Sequence, residues 1–151
     1  MSADEAELLR ENRGKTRAAL ALRIAPLDAC APFDPAAKLS PKALEPYDAL
    51  ADRFIRAIGS SLRLFRSIEI RDFGGPAGAT HELLDRMGKL RWVSSADLWM
   101  AMRSIRNKVV PDHLPERVAP MYAQITGPLA VELRALDLRQ ASANFRWRER
   151  A

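Results

Sequence analysis

Apolar residues recur along this chain at steps of three and four, and no stretch alternates with period two over a useful length. That spacing marks one face of an α-helix, so the pattern predicts helices throughout. The widest stripe runs through Leu44, Tyr47, Leu50, Ala51, Phe54, Ile55, Ile58, Leu62, Phe65 and Ile68. It predicts a long central helix over about 43–71 and the core of a bundle. Ser40-Pro41 suits its start, and Pro46 is expected to delay its regular part by a turn. Gly59-Ser60-Ser61 places small residues mid-helix, which suits close approach of a neighbouring helix. Arg53, Arg56, Arg63, Arg66 and Arg71 recur on the flanks of this stripe, as a solvated face or as the lining of a groove.

Shorter elements surround it. A ragged stripe of Leu8, Leu9, Ala18, Leu20, Ala21, Leu22 and Ile24 predicts a helix over 4–25, weakened at Gly14. Pro26, Pro32, Pro35 and Pro41 make 26–41 a connector wrapped over the bundle, anchored by Phe33 and Leu39. Asp72–Ala79 is a loop whose irregular glycines fit no phosphate-binding fingerprint. Thr80 should cap a short helix over 81–90 with Leu83, Leu84, Met87 and Leu90 inward, and His81 in its first turn. Such a histidine is usually a surface residue.

Leu98, Met102, Ile105 and Val109 then define one face of a helix, with Ser94 or Ser95 as its N-cap and Asp97 in the first turn. Pro111 ends it near Val109. Pro115 opens a further helix at a tolerated position, and Val118, Met121, Tyr122, Ile125, Leu129, Leu133 and Leu136 carry it to about 142. Gly127-Pro128 should kink or interrupt it. The tail Phe145-Arg-Trp-Arg-Glu-Arg-Ala is basic and aromatic, suited to stacking on RNA bases or binding a partner, though such termini are commonly disordered. The expected fold is all-α: a four- to five-helix antiparallel bundle with a Pro-rich connector. It forms one domain over 1–151, with its core at about 20–138 and a basic tail at 139–151.

Composition narrows the choices modestly. No apolar run reaches the roughly 20 residues that a membrane-spanning helix needs. The acidic start lacks the form of a secretory signal, and the lone Cys30 permits no intrachain disulfide. Both fit a cytoplasmic protein. Two histidines and one cysteine make no zinc constellation, and no cofactor or metal is expected. The net charge of +5 permits a polyanionic partner without requiring one.

The densest chemistry lies at the end of the 97–109 helix. Arg103, Arg106 and Asn107 gather near its C-terminus beside Lys108, and His113 follows the proline break. A fixed cation, an amide and a titratable imidazole thus share one helix end. In the plain structural reading, Arg106 and Asn107 cap that end while His113 sits in a loop.

The order of these pieces over about 20–135 resembles the HEPN superfamily, in particular its HepT-like branch. The likeness rests on the connector, the long helix around Asp48-Ala-Leu-Ala-Asp-Arg-Phe, and the short helix Leu83-Leu-Asp-Arg-Met-Gly-Lys-Leu. It continues through Val93-Ser-Ser-Ala-Asp-Leu-Trp and ends in Met102-Arg-Ser-Ile-Arg-Asn-Lys-Val-Val-Pro-Asp-His. The superfamily motif is arginine, a polar residue, then histidine after four to six residues; Arg106-Asn107 and His113 satisfy it with six between. The closest branch usually reads arginine, four residues, histidine, one residue, tyrosine. Aligned without a gap, Pro111 takes that histidine position and His113 the tyrosine position; aligned on His113, Pro115 takes the tyrosine position, and the tyrosine is missing either way.

The resemblance implies a toxin–antitoxin type protein, a homodimer with a nucleotidyltransferase antitoxin as partner, and metal-independent cleavage of RNA. In that reading Arg106 stabilises charge on the phosphate, His113 does acid/base work, Asn107 orients the histidine or the phosphate, and Arg103 and Lys108 contact RNA. The alternative is a catalytically inactive bundle of the same fold that binds a nucleotidyltransferase.

Overall fold

The computed structural model describes residues 2–29, 38, 40–76, 78–109 and 115–149, with the backbone alone described for 22–29, 109, 115–120 and 144–149. Among the described residues there are six helices and no strand: α1 (Ala3–Ala29), α2 (Pro41–Phe73), α3 (Thr80–Lys89), α4 (Ala96–Val109), α5 (Pro115–Thr126) and α6 (Pro128–Glu149). This is the all-α bundle that the period of the apolar positions predicts. No described helix is long and apolar enough to cross a membrane.

The central helix begins as expected and runs further. Ser40 is its N-cap, with Oγ accepting from the Ala43 N–H at 3.2 Å, and Pro41 follows at N1, where its missing donor costs nothing. Pro46 does not delay the helix, which is continuous through it. Proline disturbs only its own donor and the carbonyl four residues back, and here both lie in the exposed opening turns. At the far end Gly74 adopts a left-handed conformation (φ 77°), and its N–H caps the carbonyl of Ile70. Phe54, Ile58, Leu64, Phe65 and Ile68 are fully buried. Each such side chain contributes about 2–3 kcal/mol of transfer free energy.

α1 lies along α2, and their seam is polar at its centre. Thr16 donates from Oγ1 toward the carbonyls of Asn12 (2.8 Å) and Ser60 (2.9 Å), and Asn12 Nδ2 donates to Ser67 Oγ at 2.8 Å. Ser60 and Ser61 lie buried at this seam, while the described neighbour of a Cβ on Gly59 would be Arg106 of α4 and not α1. Leu9 and Leu20 bury the apolar remainder of α1, whereas Leu8 is exposed. The helix also outruns expectation: it passes Gly14 and Pro26 and ends at Ala29, so the connector does not start at 26. Cys30, Phe33 and Leu39, assigned to that connector, lie outside the described residues.

The short α3 buries Leu83, Leu84 and Met87. Thr80 is its first residue and not its cap; Ala79 holds the cap position without a side-chain bond. Gly127 forms the turn between α5 and α6, as Gly-Pro predicts, and a Cβ there would stand 2.9 Å from the carbonyl of Ala123. The backbone of α6 stays helical to Glu149, well past 142, so the basic tail continues the helix.

Two buried carboxylates hold the bundle together from inside. Glu132 of α6 accepts from the Ser94 N–H (3.0 Å), Ser94 Oγ (2.5 Å), Trp99 Nε1 (3.0 Å) and Arg139 Nη1 (3.2 Å). It thereby ties the α3–α4 turn, the indole at the start of α4 and α6 into one knot. Trp99 is itself fully buried, edge-on to Phe65 with ring centroids 5.0 Å apart. Glu69 of α2 accepts from Arg86 (3.0 Å) and Arg66 (3.3 Å). Between α2 and α5, the Tyr122 hydroxyl donates to Asp48, and Tyr47 stacks on the Tyr122 ring at 5.9 Å.

Candidate functional site

The site is built on the C-terminal half of α4. Ser95 supplies the N-cap, its Oγ accepting from the Leu98 N–H at 3.2 Å, while Ser94 is committed to Glu132. Capping fixes where the helix starts, and Met102 and Ile105 bury one face against the core. The register then leaves Arg106 half-buried and Asn107 exposed at the last turn.

Arg106 turns toward α2. Its Nη1 lies 4.0 Å from where a Cβ on Gly59 would sit, so the guanidinium rests over the bare stretch of α2 backbone. Its Nε and Nη2 donate to Asn107 Oδ1 at 3.2 and 3.1 Å, a two-pronged grip that aligns both side chains. The two residues singled out by the motif are therefore held as a unit. His113 and Pro111 lie outside the described residues. Arg103 is half-buried and Lys108 exposed on α4, and neither is among the groove residues described next.

Beside Arg106 an open groove of about 1360 Å³ runs between α1 and α2. Its apolar lining residues are small apart from Ile55: Ala18 and Ala19 from α1, Ala49 and Gly59 from α2. Around it stand Lys15, Arg53, Arg56, Arg63 and Arg106, with Asp52 the one carboxylate among the described lining residues. Asp52 pairs with Arg56 at 3.1 Å and Lys15 pairs with Glu11 at 2.5 Å, both in exposed i, i+4 geometry. Such pairs are worth well under about 1 kcal/mol and are readily exchanged for another anion. Arg63 leans on Ser60, donating from Nη2 to Oγ at 3.3 Å.

The flanking arginines of α2 thus divide. Arg53, Arg56 and Arg63 face the groove, while Arg66 and Arg71 pair with Glu69 and Asp72. The period-three-and-four recurrence could signal the row but not this division, and Lys15 gave no signal at all because its helix had too ragged a stripe to orient. His81 is exposed on α3, with Nδ1 3.1 Å from Asp85 and Nε2 3.6 Å from Asp97, as a surface histidine. Among the described residues no group of three or more histidine, cysteine or acidic side chains could hold a metal ion. What the arrangement offers chemically is a concave concentration of positive charge, which binds anions. No family model, no curated protein and no solved structure matches the chain.

Proposed function

We propose that this chain is a HepT-like HEPN protein of a toxin–antitoxin type system that binds RNA beside the end of α4 and cleaves it without a metal ion. The observation that supports this most directly is the position of Arg106: the motif arginine stands at a groove carrying four further cations. RNA brings its own nucleophile. The 2′-hydroxyl loses its proton to a base and attacks the adjacent phosphorus. The bond to the 5′-oxygen breaks, and that oxygen leaves with a proton as a 5′-hydroxyl, the phosphate remaining as a 2′,3′-cyclic ester. The proposal gives Arg106 the charge on the equatorial oxygens and His113 the proton transfers, with Asn107 as the group that fixes the guanidinium plane. A homodimer would set two such helix ends beside each other, and a nucleotidyltransferase would be its antitoxin.

One sequence observation favours a second reading. Pro111 stands where the closest branch carries its histidine, which suits a bundle that binds its partner without cleaving. Incubation of the pure protein with RNA in EDTA separates the two. Cleavage that disappears in Arg106→Ala and His113→Ala is expected; cleavage no greater than that of the double variant overturns the nuclease.

A further inference from the structure

The RNA motif accounts for Arg106 alone among the groove cations. We infer that Arg53, Arg56 and Arg63 of α2, with Lys15 of α1, form a phosphate track that holds an RNA strand next to Arg106. This rests on the reading of RNA as the ligand, though not on its being cleaved.

Helix geometry sets the track. Arg56 and Arg63 are seven residues apart, two turns less about 20°, so they project in nearly the same direction. Arg53 is three residues before Arg56 and neighbours it on the surface. From Arg53 to Arg63 the row covers roughly 15 Å at 1.5 Å per residue. Thr16, bonded to the Ser60 carbonyl at 2.9 Å, keeps α1 against this stretch and sets Lys15 on the opposite rim.

The charge there is available in a way that the charge of Arg86 and Arg139 is not. Arg86 and Arg139 meet Glu69 and Glu132, carboxylates whose side chains are 0 % and 5 % exposed. Among the described residues the carboxylate that meets a groove arginine is Asp52, and its pair with Arg56 is exposed on both sides (58 % and 70 %). An incoming phosphate displaces a contact of that kind at little cost.

The lining also says how the strand is read. Among the described lining residues, the alanines and Ile55 offer no aromatic ring for a base to stack on. Asn107 Oδ1 is taken by Arg106 and Ser60 Oγ accepts from Arg63, so the groups left to meet the strand are chiefly the guanidinium groups and the Lys15 ammonium. What remains is contact with the backbone, which carries affinity and no sequence preference.

The test is fluorescence anisotropy of the full chain with short 2′-O-methyl RNAs of two unrelated sequences, which cannot be cleaved, over a salt series. Compared with the parent are Arg53→Ala/Arg56→Ala/Arg63→Ala, the corresponding triple lysine variant, and Lys38→Gln/Lys42→Gln/Lys89→Gln as a control of equal charge loss. The alanine triple should lose about tenfold or more in affinity, and its slope of log K against log salt should shrink by about 2, at about 0.7 per single-strand phosphate contact. The lysine triple should keep the slope, the control should keep both, and the two sequences should bind alike. An alanine triple with the parent's slope, or a control that loses as much, overturns the track. Tight binding of the blocked RNA that the alanine triple loses, by a protein that leaves ordinary RNA intact, would refute the nuclease while upholding the track. Cleavage by the parent with an undiminished slope in the alanine triple would do the reverse.

Discussion

Arg106 and Gly59 meet across the α2–α4 contact: the guanidinium Nη1 is 4.0 Å from the point where a side chain on Gly59 would begin. The glycine is helical, so its worth is not conformational. It provides a flat piece of backbone on which the end of a long side chain can rest. Its neighbour Ser60 is buried, and Arg106 closes the groove's end above them.

Alanine and leucine at position 59 should therefore behave differently. A methyl group at 4.0 Å makes an ordinary contact, and replacing a mid-helix glycine gains about 0.5–1 kcal/mol. Gly59→Ala should raise the Tm by about 1–4 °C and leave RNA binding intact. Gly59→Leu should push the guanidinium off its seat and reproduce the binding defect of Arg106→Ala. Thermal unfolding and anisotropy, run on both variants, check this.

Arg106→Lys keeps the charge and removes the fork. A lysine ammonium is a point charge that cannot reproduce the paired bonds from Nε and Nη2 to Asn107. Salt-dependent RNA affinity should change by less than about threefold. The cleavage rate should fall by about 100-fold, as it does when one preorganised donor is lost from a reacting centre. Single-turnover rates measured beside binding isotherms separate the two effects.

Glu132 gives the fold an acid sensitivity. Burial raises its carboxyl pKa, but the bonds from Ser94 Oγ, Trp99, the Ser94 N–H and Arg139 outweigh burial and hold it below the ordinary carboxylate value. A group depressed in the folded state stabilises above its unfolded pKa, and that stability is lost as pH falls through the folded value. Glu132→Gln should therefore be less stable than the parent at pH 7, and the gap should narrow below about pH 4.5. Glu132→Ala removes the acceptor of four donors and should cost about 3 kcal/mol, or about 6–12 °C in Tm. Urea unfolding across pH reads both.

Tyr122 acts at the alkaline end. Burial, then the hydrogen bond and charge of Asp48, push its phenol well above the usual range. A raised pKa stabilises below the unfolded value and loses that contribution as pH climbs beyond it. Tyr122→Phe should cost about 1–2 kcal/mol at neutral pH, and its deficit should shrink above about pH 10. Unfolding midpoints at pH 7 and above pH 10 decide it.

Residues on a regular stripe were legible from spacing. The positions of α2, α4 and the Gly127-Pro128 turn follow from it, as do buried Phe54, Ile58, Phe65 and Met102. Leu64 and Trp99 are fully buried off those stripes, because α2 and α4 each have neighbours on more than one side. The Glu132 knot joins residues up to 45 positions apart, and a local pattern carries no sign of such a pairing. Glu69 was hidden likewise, reading as one more charge on a flank. At the site, the order of residues brought out Arg106 and Asn107, and the arginine recurrence on α2 hinted at a groove. Only packing could choose which arginines face it. His113, the other half of the motif, lies outside the described residues.

Trp99 is locked by its indole N–H to Glu132, and Arg106 comes seven residues later on the same rod. Two turns of helix, roughly 10 Å, separate mooring from tip. Any slack at the mooring is carried to the tip as displacement. The accuracy with which the guanidinium is aimed thus depends in part on the opposite end of α4, on a carboxylate outside the described lining of the groove.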